Sequence, residues 1–195
     1  MTEVIETVRR KARADGQRNR ALLLEAAKRV LNEKGAAVSL DEIAQAAGVG
    51  NGTLYRHFPT RAALVEAVCQ EDARELIDAA THLAATCAPL DALSAWMDAF
   101  VGCIATKQIV AEATNALLST SLDSTDSSCA DVGAALTMLF DRAAAERQIR
   151  GDVDPLDLVR AVTGVATINS RPDWQDNARR LIGVIIAGLR QNSST

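Results

Sequence analysis

The sequence predicts an all-helical protein of about nine helices, with a three-helix head built on a helix-turn-helix and a larger helical body behind it. Three observations predict it. Aromatic residues make up only 3% of the 195-residue chain, whereas alanine and leucine, both strong helix formers, are abundant. Apolar residues recur at helical spacing along most of the chain. The stretch from Ser39 to Phe58, SLDEIAQAAGVGNGTLYRHF, spells out two short helices around a tight turn. The division between head and body is placed at residue 60, giving a head of residues 1–60 and a body of residues 61–195.

Residues 1–16 carry Arg9, Arg10, Lys11 and Arg13. They read either as a solvated tail or as an arm that meets phosphates or the minor groove of DNA. The first helix is expected over 17–34, ending at Gly35, with Leu22, Leu23, Ala26, Ala27, Val30 and Leu31 inward. Arg18 and Arg20 lie near its start, where a cation opposes the helix dipole, so a phosphate partner is one explanation and solvated surface the other. Ser39 and Glu42 form a capping box that opens the second helix, 40–47. Leu40, Ile43, Ala44 and Ala47 fall on one of its faces. Gly48 suits the left-handed backbone just past a helix end. A third helix, 51–57, must stop before Pro59. Such a second helix normally enters the major groove of DNA.

Thr60 caps a fourth helix to about residue 85, with Leu64, Val65, Val68, Leu76 and Ile77 inward. Pro89 starts a fifth, to about residue 106, crowded by Trp96, Met97, Phe100, Cys103 and Ile104. A sixth is expected over 108–118, followed by the polar loop STSLDSTDSS at 119–128. A seventh spans 129–149, with Val132, Leu136, Leu139, Phe140 and Ala143 inward. Asp154-Pro155 opens an eighth, to about residue 168. A break at Arg171-Pro172-Asp173 precedes a ninth, to about residue 191, and residues 192–195 read as a frayed end. Its stripe of Ala178, Leu181, Ile182, Ile185, Ile186 and Leu189 is widened by Val184, Ala187 and Gly188 beyond what one core face needs. With Val162 and Val165 on the eighth helix, this suggests a partner surface, full burial inside one protomer being the other reading.

The fifth to seventh helices surround any small-molecule pocket. Trp96, Met97, Phe100, Met138 and Phe140 are its largest candidate liners; a packed core is the other reading of the same residues.

The formal net charge of −4 at first sight opposes DNA binding. It divides, however, into +4 over residues 1–61 and −8 over the rest. An acidic body on a basic head steers the head toward phosphate. No run of eighteen apolar residues predicts a membrane span, and the N-terminus lacks the pattern of a signal peptide, so a cytoplasmic protein is expected. Cys69, Cys87, Cys103 and Cys129 are far apart and contain no CxxC, so they read as small apolar residues rather than ligands or disulfides. No nucleophile–base pair, phosphate loop or metal-ligand cluster is visible. His57 and His82 are the two histidines, neither with a ligand cluster at suitable spacing. No catalytic site, cofactor or metal is assigned.

The stretch from about residue 15 to 68 resembles the TetR family of bacterial transcriptional regulators. The resemblance is carried by Ala46-Ala47-Gly48-Val49, Gly52-Thr53-Leu54-Tyr55, His57-Phe58 and the basic Arg61 that opens the next helix. The rest of the chain resembles the family only in helical character and length. The match departs at Gly50, where Ser often caps the recognition helix, and at Thr60-Arg61-Ala62, where Lys followed by an acid is frequent. The resemblance implies that Ser39, Thr53, Tyr55 and His57 touch phosphates or sugars, as can Arg61. Such contacts set register without reading sequence. Leu54 and Phe58, four apart, pack inward, which leaves Asn51, Gly52 and Arg56 for base edges; Asn can pair with adenine and Arg with guanine. The resemblance further implies a homodimer on an inverted-repeat DNA operator. It also implies an unknown small-molecule effector that releases a repressor, the fourth helix carrying the signal to the heads. The alternative is a helical interaction or ligand-binding protein without DNA function.

Overall fold

The computed structural model describes residues 2–114, 127–168 and 173–190, without side chains for 2–12, 36, 108–114, 127–129 and 167–168. Among them are eight α-helices: α1 (Thr2–Lys34), α2 (Leu40–Ala47), α3 (Asn51–His57), α4 (Arg61–Thr86), α5 (Pro89–Thr114), α6 (Ser127–Ala145), α7 (Leu156–Ile168) and α8 (Trp174–Leu189). A single 3-10 turn, Gly35–Ala37, follows α1. No named strand occurs among the described residues; an isolated antiparallel bridge joins Ile149 to Arg190.

Among the described residues the count is eight rather than nine because the fifth and sixth expected helices run as one to Thr114, residues 115–118 of the expected sixth lying outside them. No proline or glycine interrupts residues 103–114, so nothing in the backbone ends the helix where a boundary was expected near residue 107. The N-terminal segment, expected as a tail or arm, continues α1 back to Thr2. It contains no proline, and Gly16 is tolerated inside the helix. The expected seventh helix stops at Ala145, four residues short of the expected end, in a turn where Arg147 takes a positive φ of 55°. The expected loop at 119–128 lies outside the described residues up to position 126, as do the break at Arg171-Pro172 and the C-terminal end from residue 191.

The chain forms two compact units, the first running through Glu71 and including the last turns of α5 from Ile109, the second beginning at Asp72. The first has its own core: Leu23, Ala27 and Leu31 of α1, Ile43 and Ala44 of α2, Leu54, Phe58, and Leu64 and Val68 of α4. Because Leu64, Ala67 and Val68 belong to this core, the unit extends past the division drawn at residue 60. Leu22, expected inward, is exposed, and Leu24 is buried instead.

The second unit is closed by one apolar cluster to which α4, α5, α6, α7 and α8 all contribute. Trp96 stacks on Phe100 at 5.7 Å, and its indole N–H donates to the Leu76 carbonyl at 2.8 Å. Gln148 Oε1 accepts from the Leu90 N–H at 2.8 Å at the start of α5, beside Pro89, which has no N–H to offer. The Arg142 guanidinium donates to the Ala84 carbonyl. The Arg150 N–H donates to the Leu189 carbonyl at 2.8 Å, fastening the end of α8. Cys69, Cys87 and Cys103 are not joined in disulfides; the side chain of Cys129 lies outside the described residues. No described helix is long and apolar enough to cross a membrane.

Candidate nucleic-acid interface

The head is assembled by short-range chemistry. Ser39 Oγ accepts from the Glu42 N–H at 3.2 Å, and the Glu42 carboxylate accepts in return from the Ser39 N–H and hydroxyl, both at 3.0 Å. Lys34 Nζ reaches the other carboxylate oxygen at 3.1 Å. Donation by the Ser39 backbone, with help from Lys34 and the Ser39 hydroxyl, lowers the Glu42 pKa from 4.5 to about 2. Gly48 ends α2 at φ +66°, and its N–H donates to the carbonyls of Ala44 and Gln45. A Cβ at this φ would strain the backbone. Gly50 then opens α3 without any side-chain cap; its carbonyl accepts from Thr53 and Leu54.

Within α3 a single residue, Leu54, is fully buried, and Phe58 is buried just beyond it. The Arg20 guanidinium lies over the Phe58 ring, 5.4 Å from its centre. A cation–π contact therefore accounts for a basic residue that the sequence reading left between phosphate and solvent. The remaining positions of α3 turn outward: Asn51, Gly52, Tyr55 and Arg56 are exposed, and Thr53 and His57 half-buried. Tyr55 keeps 47% of its surface exposed, large for an aromatic residue. Gly52 has open space where a Cβ would stand. The six positions read as an outer surface thus lie together on one short helix, and Arg18 is exposed on α1.

Two predicted contacts have other occupations here. The Ser39 hydroxyl proton goes to Glu42, not outward. Arg61, half-buried, donates to the Val38 carbonyl and ties α4 to the segment before α2. A third tie was not foreseen: Asn51 Nδ2 donates to Asp41 Oδ1 at 2.8 Å across the turn. Asp41 is a functional candidate that residue-by-residue reading missed. The available signal was an acid in the first turn of α2 and an amide opening α3, brought together by the tight turn at Gly48.

In the body, Trp96, Met97, Phe100 and Phe140 are buried members of the core cluster. Met138 departs from them and is 40% exposed, because Leu136, Leu139 and Phe140 set the inward face of α6 and Met138 falls between them on the other side. A shallow crevice, too narrow to admit a water molecule, is lined by Met97, Leu158, Ile182, Ile185 and Ile186. Of the residues read as partner contacts, Val162, Ile182 and Leu189 close the body's own core instead. On α8 they are placed there by the spacing 178, 182, 186, 189. Val165, Leu181 and Ile185 are half-buried, and Val184, beside them, is 70% exposed.

A capped helix, a glycine turn and a short, outward-facing second helix define a helix-turn-helix protein of the DNA-binding class. The sequence comparisons make this more particular. Residues 23–68 match the model of bacterial regulatory proteins of the tetR family, and residues 88–191 match that of the C-terminal domain of SbtR-like transcriptional regulators. A TetR transcriptional regulator of Streptomyces coelicolor is 40% identical, with a TM-score of 0.76, over 89% of this chain and 99% of that one. A TetR regulatory protein of Mycobacterium vanbaalenii is 33% identical, with a TM-score of 0.71, over 92% and 99%. The HTH-type transcriptional regulator TtgR of Pseudomonas putida is 40% identical over 60 residues, a stretch covering 30% of this chain and 29% of that protein. The chain belongs to the TetR family. It is a DNA-binding transcriptional regulator and not an enzyme, in a family in which ligand-responsive repression is typical.

Proposed function

We propose that this regulator works as a homodimeric repressor, reads an inverted-repeat operator with α3 of each head, and is released by a small apolar effector. The observation that carries the reading is the division of labour within α3. Leu54 and Phe58 anchor the helix, and every other side chain it bears is turned at least partly to solvent. Tyr55, Thr53 and His57 hold phosphates and sugars, with Arg18 at the edge, while Ser39 and Arg61, engaged with Glu42 and Val38, hold the surface in shape. Asn51 and Arg56 meet base edges, and Gly52 lets the helix backbone come close. Two heads then sit about 34 Å apart, one turn of duplex. The second protomer covers the outer apolar side of α7 and α8, where Val165, Leu181, Val184 and Ile185 lie. An apolar effector enters by parting the packing beside Met97 and Ile185, where the crevice is closed even to water as it stands. Such a ligand shifts the population off DNA only by its differential affinity for the two conformations.

The test is selection of bound fragments from the organism's own genomic DNA at two salt concentrations. Recovery of an inverted repeat, with steep loss of affinity at the higher salt, is the expected result. Recovery of nothing by a folded dimer would overturn the reading in favour of an interaction protein. Roles are then separated by substitution. Tyr55→Phe weakens binding to all sequences alike, whereas Arg56→Ala relaxes preference at particular base pairs. An unchanged preference after Arg56→Ala would remove Arg56 from the base-reading set.

A further inference from the structure

Asn51 opens α3 and Asp41 lies in the first turn of α2, ten residues earlier. Both are exposed, and the Asn51 amide nitrogen donates to the Asp41 carboxylate at 2.8 Å. The chemistry of the pair settles the orientation of the amide. An ionised carboxylate only accepts hydrogen bonds, so it must face the NH₂ end of asparagine and never the oxygen. An amide without such a neighbour can turn through 180° and exchange its donor and acceptor. Here the exchange would set the amide oxygen against a carboxylate oxygen.

That restriction matters at a base edge. Adenine offers N7 as an acceptor and the N6 amino group as a donor, and asparagine matches the two only in one orientation of its amide. An amide free to turn also satisfies other edges, since its oxygen accepts from the cytosine amino group and its nitrogen donates to guanine or thymine oxygens. Asp41 is moreover an acid in a basic head, where its charge opposes approach to phosphate. Its place in the first turn of α2 favours that helix, but any acid there would do so without reaching Asn51.

We infer that Asp41 is a positioning residue for operator recognition: it locks the Asn51 amide in one orientation and so narrows the base that Asn51 accepts to adenine. The inference rests on the proposed reading in which Asn51 faces base edges.

The experiment compares base-preference matrices, obtained by selection from randomised duplexes, for the full-length protein and four variants. These are Asn51→Ala, Asp41→Ala, Asp41→Asn and the double variant Asp41→Ala/Asn51→Ala. Asn51→Ala is expected to erase an adenine preference of about fivefold or more at one base pair of each half-site. Asp41→Ala and Asp41→Asn are expected to loosen that same preference severalfold and leave the other positions unchanged, and the double variant to match Asn51→Ala there. Asp41→Asn is the decisive variant. It can keep the hydrogen bond in either direction, so a merely structural tie survives it while an orientation lock does not. Thermal melts accompany each variant. Wild-type preference in Asp41→Asn, or a change at a base pair other than the one Asn51→Ala affects, would overturn the inference. If Asn51→Ala leaves the matrix unchanged while salt-dependent operator binding persists, the inference falls and the regulator reading stands. If the wild type selects no sequence at all, both fall.

Discussion

In the head, the caps that end and begin helices join near neighbours, Ser39 with Glu42, Gly48 with Ala44 and Thr60 with Ala63, and the longer reach is that of Arg61 to Val38 across 23 residues. In the body, the ties reach across the chain. Gln148 meets Leu90 and Arg142 meets Ala84, each pair 58 residues apart, and Trp96 meets Leu76 across 20. The head must therefore hold a small surface in a set shape, and it does so with local polar geometry around a modest core. The body is held by bulk apolar burial that polar bonds only pin at its edges. Local polar bonds contribute about 1 kcal/mol each, and a large buried side chain several times that.

The comparison breaks if substitutions do not follow this order. Trp96→Ala should have the largest effect, a loss of about 3–5 kcal/mol in chemical denaturation, because it opens a cavity and leaves the Leu76 carbonyl without its indole donor. Leu54→Ala should cost about 2–5 kcal/mol and abolish operator binding, since it removes the sole fully buried anchor within α3. Ser39→Ala should cost only about 1 kcal/mol. A Ser39→Ala loss as large as that of Trp96→Ala would refute the contrast between the two units.

Acid sharpens the same point. The folded Glu42 pKa of about 2 lies below its ordinary 4.5. The capping-box contribution is thus fully present above about pH 4.5 and is lost as pH falls toward 2. Glu42→Gln should remove this pH dependence, so the stability difference between variant and wild type should shrink as melts are taken from pH 5 down to pH 2. The smallest effect is expected at Gly52. Gly52→Ala has room for its methyl group and should stabilise the head by up to about 1 kcal/mol in thermal melts, yet weaken operator binding if the helix backbone comes close to DNA.

The same contrast explains what could be read from the sequence. Ser39, Glu42, Gly48, Thr60 and the inward pair Leu54 and Phe58 obey rules that act over four residues or fewer, and the structure places each as those rules require. Features that depend on packing were less legible. Met138 and Leu22 carry apolar side chains, but their helices are rotated by neighbours that pattern alone does not weigh. The merger of two expected helices into α5 had no marker, because polar Lys107 and Gln108 are as compatible with a helix interior as with a boundary. Asp41 and Asn51 meet only because the turn at Gly48 folds one helix against the next.

The way α3 is anchored carries a consequence for how such proteins diverge. Its fold depends on Leu54 within the helix and Phe58 just after it, whereas its outward positions make little demand on the core. Those positions can be exchanged in a library, or over generations, without endangering the scaffold that presents them. The address a repressor recognises is thereby separable from the machinery that carries it, and a duplicated copy can acquire a new target through a handful of codons.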